Sequence, residues 1–205
     1  MTLLDSKLPP LAPLYFFQVK VDLKEGKKTL VPNTSALLGE ERFAEFKLGW
    51  SDEGLFGDVD VLQPFEGAFY PNYEEGDAIE LFIDTRDLKE AGFPTKFCHH
   101  FLILPYPVQG VQALELTRFR EVEQRMLCDP TKIDVKTKSS KRGYTVSWEL
   151  PAAVLHGFDP KAFDRLGMTY SIHRSKQPSQ NFACSPQFVS VAQNPSLWAS
   201  CLLVR

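Results

Sequence analysis

The feature that most constrains this chain is a short apolar rhythm of period two that restarts many times, each run closed by Gly, Pro, Asn or Asp. Such alternation puts apolar residues on one side of an extended strand, and the closing residues are those that let a chain turn. No long stripe of helical period competes with it. Runs of this kind cover Tyr15–Val21, Phe43–Trp50, Leu55–Leu62, Ala78–Asp84, Phe97–Leu104, Ala113–Phe119, Lys132–Lys138, Tyr144–Leu150, Met168–Arg174, Gln187–Val191 and Ala199–Val204. They predict an all-β fold, a two-sheet antiparallel β-sandwich of jelly-roll-like type with about ten to eleven strands.

The turn residues refine this. Ser51-Asp52-Glu53-Gly54 is expected to close a hairpin, with Gly54 free to take positive φ, and Ser139 to Gly143 a second one. Pro151 to Asp164, with Ala152, Ala153, Val154 and Leu155 ahead of the breakers Gly157 and Pro160, is the one expected short helix. Pro9, Pro10 and Pro13 make 1–14 an extended lead-in, and with no internal repeat or long linker the expectation is one domain over 1–205. The loop from Gln63 to Gly76 is the longest aromatic-rich connection, carrying Phe65, Phe69, Tyr70 and Tyr73. Ordered loops of that length are often where function sits.

Composition excludes several partners. With 23 basic and 26 acidic residues there is no net field to favour nucleic acid or an anionic membrane. The basic cluster Lys132, Lys136, Lys138, Lys141 and Arg142 surrounds an expected hairpin tip and has no interleaved aromatics for base stacking. No apolar run approaches the roughly 20 residues of a membrane-spanning helix, so a soluble protein is expected. Met1 to Tyr15 lacks the pattern of a signal peptide. The 4 cysteines, Cys98, Cys128, Cys184 and Cys201, are scattered without paired spacing, which predicts reduced thiols and a cytoplasmic location.

Alternation also sorts faces. Leu55, Gly57, Val59 and Val61 point one way, and Phe56, Asp58 and Asp60 the other. Ile79, Leu81 and Ile83 are expected in the core, with Glu80, Phe82 and Asp84 opposite. Tyr144, Val146, Trp148 and Leu150, and likewise Met168, Tyr170 and Ile172, oppose the polar sets Thr145, Ser147, Glu149 and Thr169, Ser171, His173. A polar face of this kind is ordinarily solvated surface. Were the strands of Asp58 and Glu80 neighbours, their second faces would be acidic and aromatic together.

Gly76-Asp77-Ala78-Ile79-Glu80-Leu81-Phe82-Ile83-Asp84-Thr85-Arg86, preceded by the Trp50 to Val61 hairpin, resembles the family nine carbohydrate-binding modules and their DOMON-like relatives. Further landmarks of the resemblance, to an uncharacterised bacterial branch, are Phe97-Cys98-His99-His100-Phe101, Gly157-Phe158-Asp159-Pro160, Arg165-Leu166-Gly167 and Pro195-Ser196-Leu197-Trp198. The resemblance implies a concave sheet face that takes a ligand, often the end of a sugar chain, and no catalysis. Where such modules place a Trp ahead of the Gly-Asp segment, this chain has Tyr70 and Tyr73, and His173-Arg174-Ser175-Lys176 replaces an acidic stretch.

Sugar recognition needs carboxylates or amides that accept adjacent hydroxyls, and flat rings against C–H faces. Glu80 and Tyr73 supply both, and the expected ligand residues are Tyr73, Glu80, Phe82, His99 and Trp198. For metal, Cys98 and His100 share a face and need a third ligand such as His173 or Cys184, in a spacing that matches no zinc motif. Calcium is the cofactor that the loop acids Asp52, Glu53, Glu74, Glu75 and Asp77 would suit. The leading function is a non-catalytic carbohydrate-binding module; the alternative is a protein-interaction domain using a sheet edge or the aromatic loop. A hydrolase is third. Its paired carboxylates belong about 5 to 10 Å apart, whereas Glu80 and Asp84 are about 13 Å apart along one strand, leaving Asp58 or Asp60 as partners for Glu80.

Overall fold

The computed structural model describes residues 20–116 and 125–205. The lead-in expected at 1–14, nearly all of the first expected strand and the end of the Ala113–Phe119 run lie outside these residues. The strands are β1 (Val21–Lys24), β2 (Thr29–Leu30), β3 (Ala44–Ser51), β4 (Gly54–Val61), β5 (Ala78–Asp84), β6 (Cys98–Val108), β7 (Val111–Glu115), β8 (Asp134–Ser139), β9 (Tyr144–Pro151), β10 (Arg165–Arg174), β11 (Gln177–Asn181) and β12 (Ala199–Val204). One α-helical turn, α1 (Ser35–Leu38), precedes β3. A seven-stranded sheet runs β1-β12-β10-β5-β6-β7, with β11 also on β10, and a five-stranded sheet runs β2-β3-β4-β9-β8. The named pairs are antiparallel except β1 with β12.

Local chemistry accounts for the pairings. Ser51 pairs with Gly54, so Asp52 and Glu53 form a two-residue loop between β3 and β4. Gly54 takes φ +146°, and a Cβ there would meet the Leu150 carbonyl at 2.2 Å. The second expected hairpin joins β8 to β9, closed by the Ser139 and Tyr144 pair. Between the sheets, Leu55, Val59, Val61, Ile79, Leu81, Ile83, Tyr144, Val146, Trp148, Met168, Tyr170 and Ile172 make the core with the parity that alternation assigns. Phe46 stacks on Tyr170 with ring centroids 4.3 Å apart, joining one sheet to the other.

Gly57 pairs with Trp148 across β4 and β9, and the indole lies where a side chain at 57 would go. A Cβ at Gly57 would stand 2.3 Å from Trp148 Cζ2 and 2.6 Å from the Lys47 carbonyl. Gly57→Ala gains roughly 0.5–1 kcal/mol from the unfolded chain but forces the indole aside, a cost of roughly 1–3 kcal/mol. A lowered urea midpoint is therefore expected, and an unchanged one would show that the indole has room to move.

Two sequence expectations about secondary structure are corrected. Gln187–Val191 is not a strand but a turn-rich loop ending in the 3-10 turn Val191–Gln193, while Gln177–Asn181, with no apolar rhythm, is β11. The loop's apolar residues pack onto the sheet as a cover, which mimics a strand signal. The helix expected in Pro151–Asp164 is only the 3-10 turn Ala152–Val154, the helical turn being α1. Whether β4 and β5 neighbour one another was left open by the sequence, and they belong to different sheets.

The outer face of the seven-stranded sheet is not solvated as expected. Every residue of β5 is buried. One outer cluster joins Phe82, Cys98, Cys184, Val191 and Trp198, and another joins Ala78, Leu102 and Leu104 beneath Ala68, Tyr70 and Tyr73. The loops 63–77 and 182–198 cover the sheet, and a cleft opens between them. All four cysteines are free thiols. Among the described residues, no helix is long and apolar enough to cross a membrane.

Candidate functional site

The cleft on the outer face holds about 590 Å³. Its floor comes from three adjacent strands, with Glu80 and Phe82 on β5, His100 on β6, and Ser171 and His173 on β10. Tyr73 and Glu74 form one wall, and Pro186 to Ala192 the other. Register explains why these side chains meet. His100 lies opposite Phe82 and His173 opposite Ala78, so each histidine is a diagonal neighbour of Glu80 on the same face. Diagonal positions are within reach of long side chains.

Glu80 Oε1 lies 2.7 Å from His100 Nε2 and Oε2 lies 2.7 Å from His173 Nε2. The Tyr73 hydroxyl donates to Oε1 at 3.1 Å. Burial pushes the Glu80 carboxyl up, but hydrogen bonds from His100 and His173, with their charge, outweigh it and hold it at about 2. Glu80 is therefore an ionised acceptor, and both Nε2 atoms donate to it. Burial and the same carboxylate push the Tyr73 phenol well above its ordinary range, so Tyr73 stays a donor.

Aromatic rings orient both imidazoles. Phe82 stacks on His100 at 4.1 Å between centroids, and Tyr73 meets His173 edge-on at 6.0 Å. Trp198 packs against Phe82 at 5.7 Å and donates its Nε1–H to the Val191 carbonyl at 2.9 Å, which pins the covering loop.

Of the five expected ligand residues, the structure brings Tyr73, Glu80 and Phe82 to the cleft. Phe82 is only 3% exposed, and its ring is taken up by His100 and Trp198, so it orients the site and offers no open stacking face. Trp198 is 2% exposed and acts through the loop it holds. His99 is not with them. It pairs with Ile83 on the inward face, stacks on Phe101, and bonds Glu115 Oε1 at 2.8 Å. Around Glu115 gather Arg125 Nη1 at 2.9 Å and the Cys128 amide at 2.9 Å, while Arg125 also bonds the carbonyls of Lys96 and Cys98. Burial raises the Glu115 carboxyl, but bonds from His99 and Arg125 win and hold it at about 2.

His100 and His173 are the cleft residues that the ligand list missed. The parity of His173 was readable from Thr169 and Ser171, whereas His100 stands at the head of the continuous apolar run Phe101 to Leu104, which marks no face. What the sequence did not contain was the order β10-β5-β6, which turns three separate positions into one cluster.

The hydrolase pairing has no geometry here. Asp58 and Asp60 lie on the outer face of the other sheet, bonded to Lys28 and Ser147, and to Lys47 and Thr145. Asp84 turns into the backbone amides of Arg86 and Leu88. The loop acids do not converge either, since Asp52 bonds Arg205 while Asp77 accepts from the amides of Glu66 and Ser175. Among the described residues, no group of three or more His, Cys, Asp or Glu is placed to hold a metal ion.

The same arrangement of strands occurs in a carbohydrate-binding module of family 9 from Caldicellulosiruptor kristjanssonii, solved in complex with cellotriose. That structure has a TM-score of 0.63 and 17% identity, over 90% of this chain and 93% of the other. The fold is that of the family 9 carbohydrate-binding modules. The glucose complex of a family 9 module from the same organism aligns with a TM-score of 0.63 and 18% identity, covering 91% of this chain and 96% of the other. A Bacteroides uniformis protein aligns more loosely, at a TM-score of 0.51 and 9% identity over 90% and 98% of the two chains. No family model and no curated protein matches the sequence. The two-sheet fold that the alternation and the Gly76 to Arg86 segment led to is thus found in solved family 9 modules.

Proposed function

We propose that this protein is a non-catalytic carbohydrate-binding module that takes a sugar into the cleft above β10, β5 and β6. Glu80 accepts a sugar hydroxyl, His100 and His173 fix the carboxylate, and Tyr73 stands at the wall. One observation carries this reading. An ionised carboxylate, itself only 8% exposed, is aimed by two imidazoles and a phenol at a cleft of about 590 Å³. A buried charge is costly unless it is fully paired, and a fold gains little from assembling one at an opening to solvent. The fold shared with modules that hold glucose and cellotriose makes sugar hydroxyls the fitting donors.

Calorimetric titration of glucose and cellotriose into the protein and into Glu80→Gln tests this. Loss of a charge-assisted hydrogen bond costs about 1.5–3 kcal/mol, so affinity is expected to fall roughly 10- to 150-fold. The amide nitrogen of Gln would face a histidine donor, so melting temperature is read alongside to confirm that the variant is folded at the titration temperature. A folded Glu80→Gln protein that binds as tightly as the parent would make Glu80 a purely structural acid and overturn the assignment.

A further inference from the structure

A separate cavity of about 700 Å³ lies over the β10 and β12 side of the seven-stranded sheet. Arg165 of β10 and Ser200 and Leu202 of β12 line it, as does Trp198, whose ring packs on Phe82. None of its lining residues lines the Glu80 cleft.

A buried ion pair borders this cavity. The Asp87 side chain, 2% exposed, meets Lys89 Nζ at 2.7 Å and accepts the Ser200 hydroxyl at 2.6 Å, while the same ammonium donates to the Trp198 carbonyl. The backbone is shaped to hold it. Asp87 takes a φ of +50°, a left-handed conformation that few residues besides glycine adopt, and its carbonyl accepts the Lys89 amide at 2.9 Å. A Cβ at Gly167 would stand 3.0 Å from Asp87 Oδ1 and 3.7 Å from Lys89 Nζ, so glycine there lets the pair settle onto β10. An ion pair that served only to fasten the turn would need no open space beside it. Two of the three Lys89 ammonium protons are spent on Asp87 and Trp198, which leaves one to donate. Arg165 spends Nε on Asp164 at 3.3 Å, and among the described residues its two Nη groups have no partner.

We propose that this cavity is a second ligand site, for a small organic anion, a carboxylate or phosphate monoester with an apolar body. The Lys89 ammonium and the Arg165 guanidinium fork take the charged end. Leu88, Leu197 and Leu202 receive the apolar end. Lys20, Lys89 and Arg165 line the cavity against Asp87 and Glu90, and Asp87 is already spent on Lys89 and Ser200, so the lining carries a surplus of positive charge. Such a lining draws in an anion. Cavities of this volume hold ligands of small-molecule size. The site stands independently of the carbohydrate reading, since the two cavities share no residue.

The test follows backbone amide chemical shifts while benzoate, phenyl phosphate and neutral benzyl alcohol are titrated into the parent protein, Arg165→Gln and Arg165→Lys. Shifts at Lys89, Ser196 and Ser200 are expected with the anions, and the tighter of the two names the charged group. Benzyl alcohol is expected to bind at least about tenfold more weakly, for want of a charge-assisted hydrogen bond. The Arg165 side chain is 56% exposed, so Arg165→Gln is expected to fold as the parent does. It should weaken the anions about tenfold, and Arg165→Lys, which keeps the charge without the fork, should recover part of that. Absence of shifts with either anion at millimolar concentration would overturn the site. Benzyl alcohol binding as tightly as the anions would make it an apolar pocket, and undiminished anion binding to Arg165→Gln would take recognition away from the guanidinium. Either result also overturns the proposal, and each of the three leaves the Glu80 cleft as it stands.

Discussion

Cutting Glu115 back to alanine is expected to destabilise the protein by about 3–5 kcal/mol, the cost of removing one member of a buried charged pair. Glu115 is 3% exposed and serves His99, Arg125 and the Cys128 amide at once. Without it, the half-buried Arg125 guanidinium loses its counter-charge, the buried His99 ring loses its hydrogen-bond partner, and the segment starting at Arg125 loses its anchor on β7. Since whole domains are stable by only about 5–15 kcal/mol, this single change takes a large share. Urea denaturation at neutral pH measures it. A loss under about 1 kcal/mol would show that water or a rearranged Arg125 replaces the carboxylate.

Acid is expected to do to both buried glutamates what mutation does to one. Glu80 and Glu115 are each held at about 2 in the folded protein against an ordinary 4.5. A carboxyl whose folded value is depressed binds its proton more readily in the unfolded chain, so its contribution is complete above about pH 4.5 and disappears as pH falls towards 2. For a separation of that size each group contributes on the order of 3 kcal/mol. Asp84 runs the other way, because burial raises its carboxyl, and its share is lost as pH rises past the ordinary aspartate value. The two glutamates dominate. Denaturation midpoints should fall steeply as pH drops from about 4.5 towards 2, and Glu80→Gln should flatten that slope by about half. A midpoint that holds steady over this range would show that the two carboxylates are no better paired folded than unfolded.

How far the sequence led differs from strand to strand. On β4 and β9, with one face in the core and one in water, alternation named each face correctly. On β5 it did so too, with Ile79, Leu81 and Ile83 inward, but on β6 it could not, because both faces are covered. Phe101, Leu102, Ile103 and Leu104 are all fully buried, and a continuous apolar run carries no parity. His99 and His100 sit at the start of that run, which is why the inward histidine was named for the ligand site and the outward one was not. β11 was unreadable for a different reason. Gln180 is held there by its side chain, which bonds the Phe43 and Ala44 amides and the Ala44 carbonyl across the sandwich. A strand fixed by tertiary hydrogen bonds leaves no apolar rhythm. Within the candidate site, Glu80 and Tyr73 were legible from side-chain chemistry, while His100 and His173 needed the strand order.

The strand that carries Glu80 is paired along both edges, by β10 and β6, and buried along its whole length. Local opening events expose the parts of a protein with few buried neighbours, and β5 has no side from which such an event could start. Its amides reach solvent only when the sandwich itself comes apart. Glu80 is therefore held on a strand that opens only with the whole sandwich, whereas the loops 63–77 and 182–198 that rim the cleft are fastened from one side, by contacts such as Tyr73 on Glu80 and Trp198 on Phe82. The candidate site thus sets a carboxylate on the most enclosed strand of the sandwich beneath a rim made only of loops.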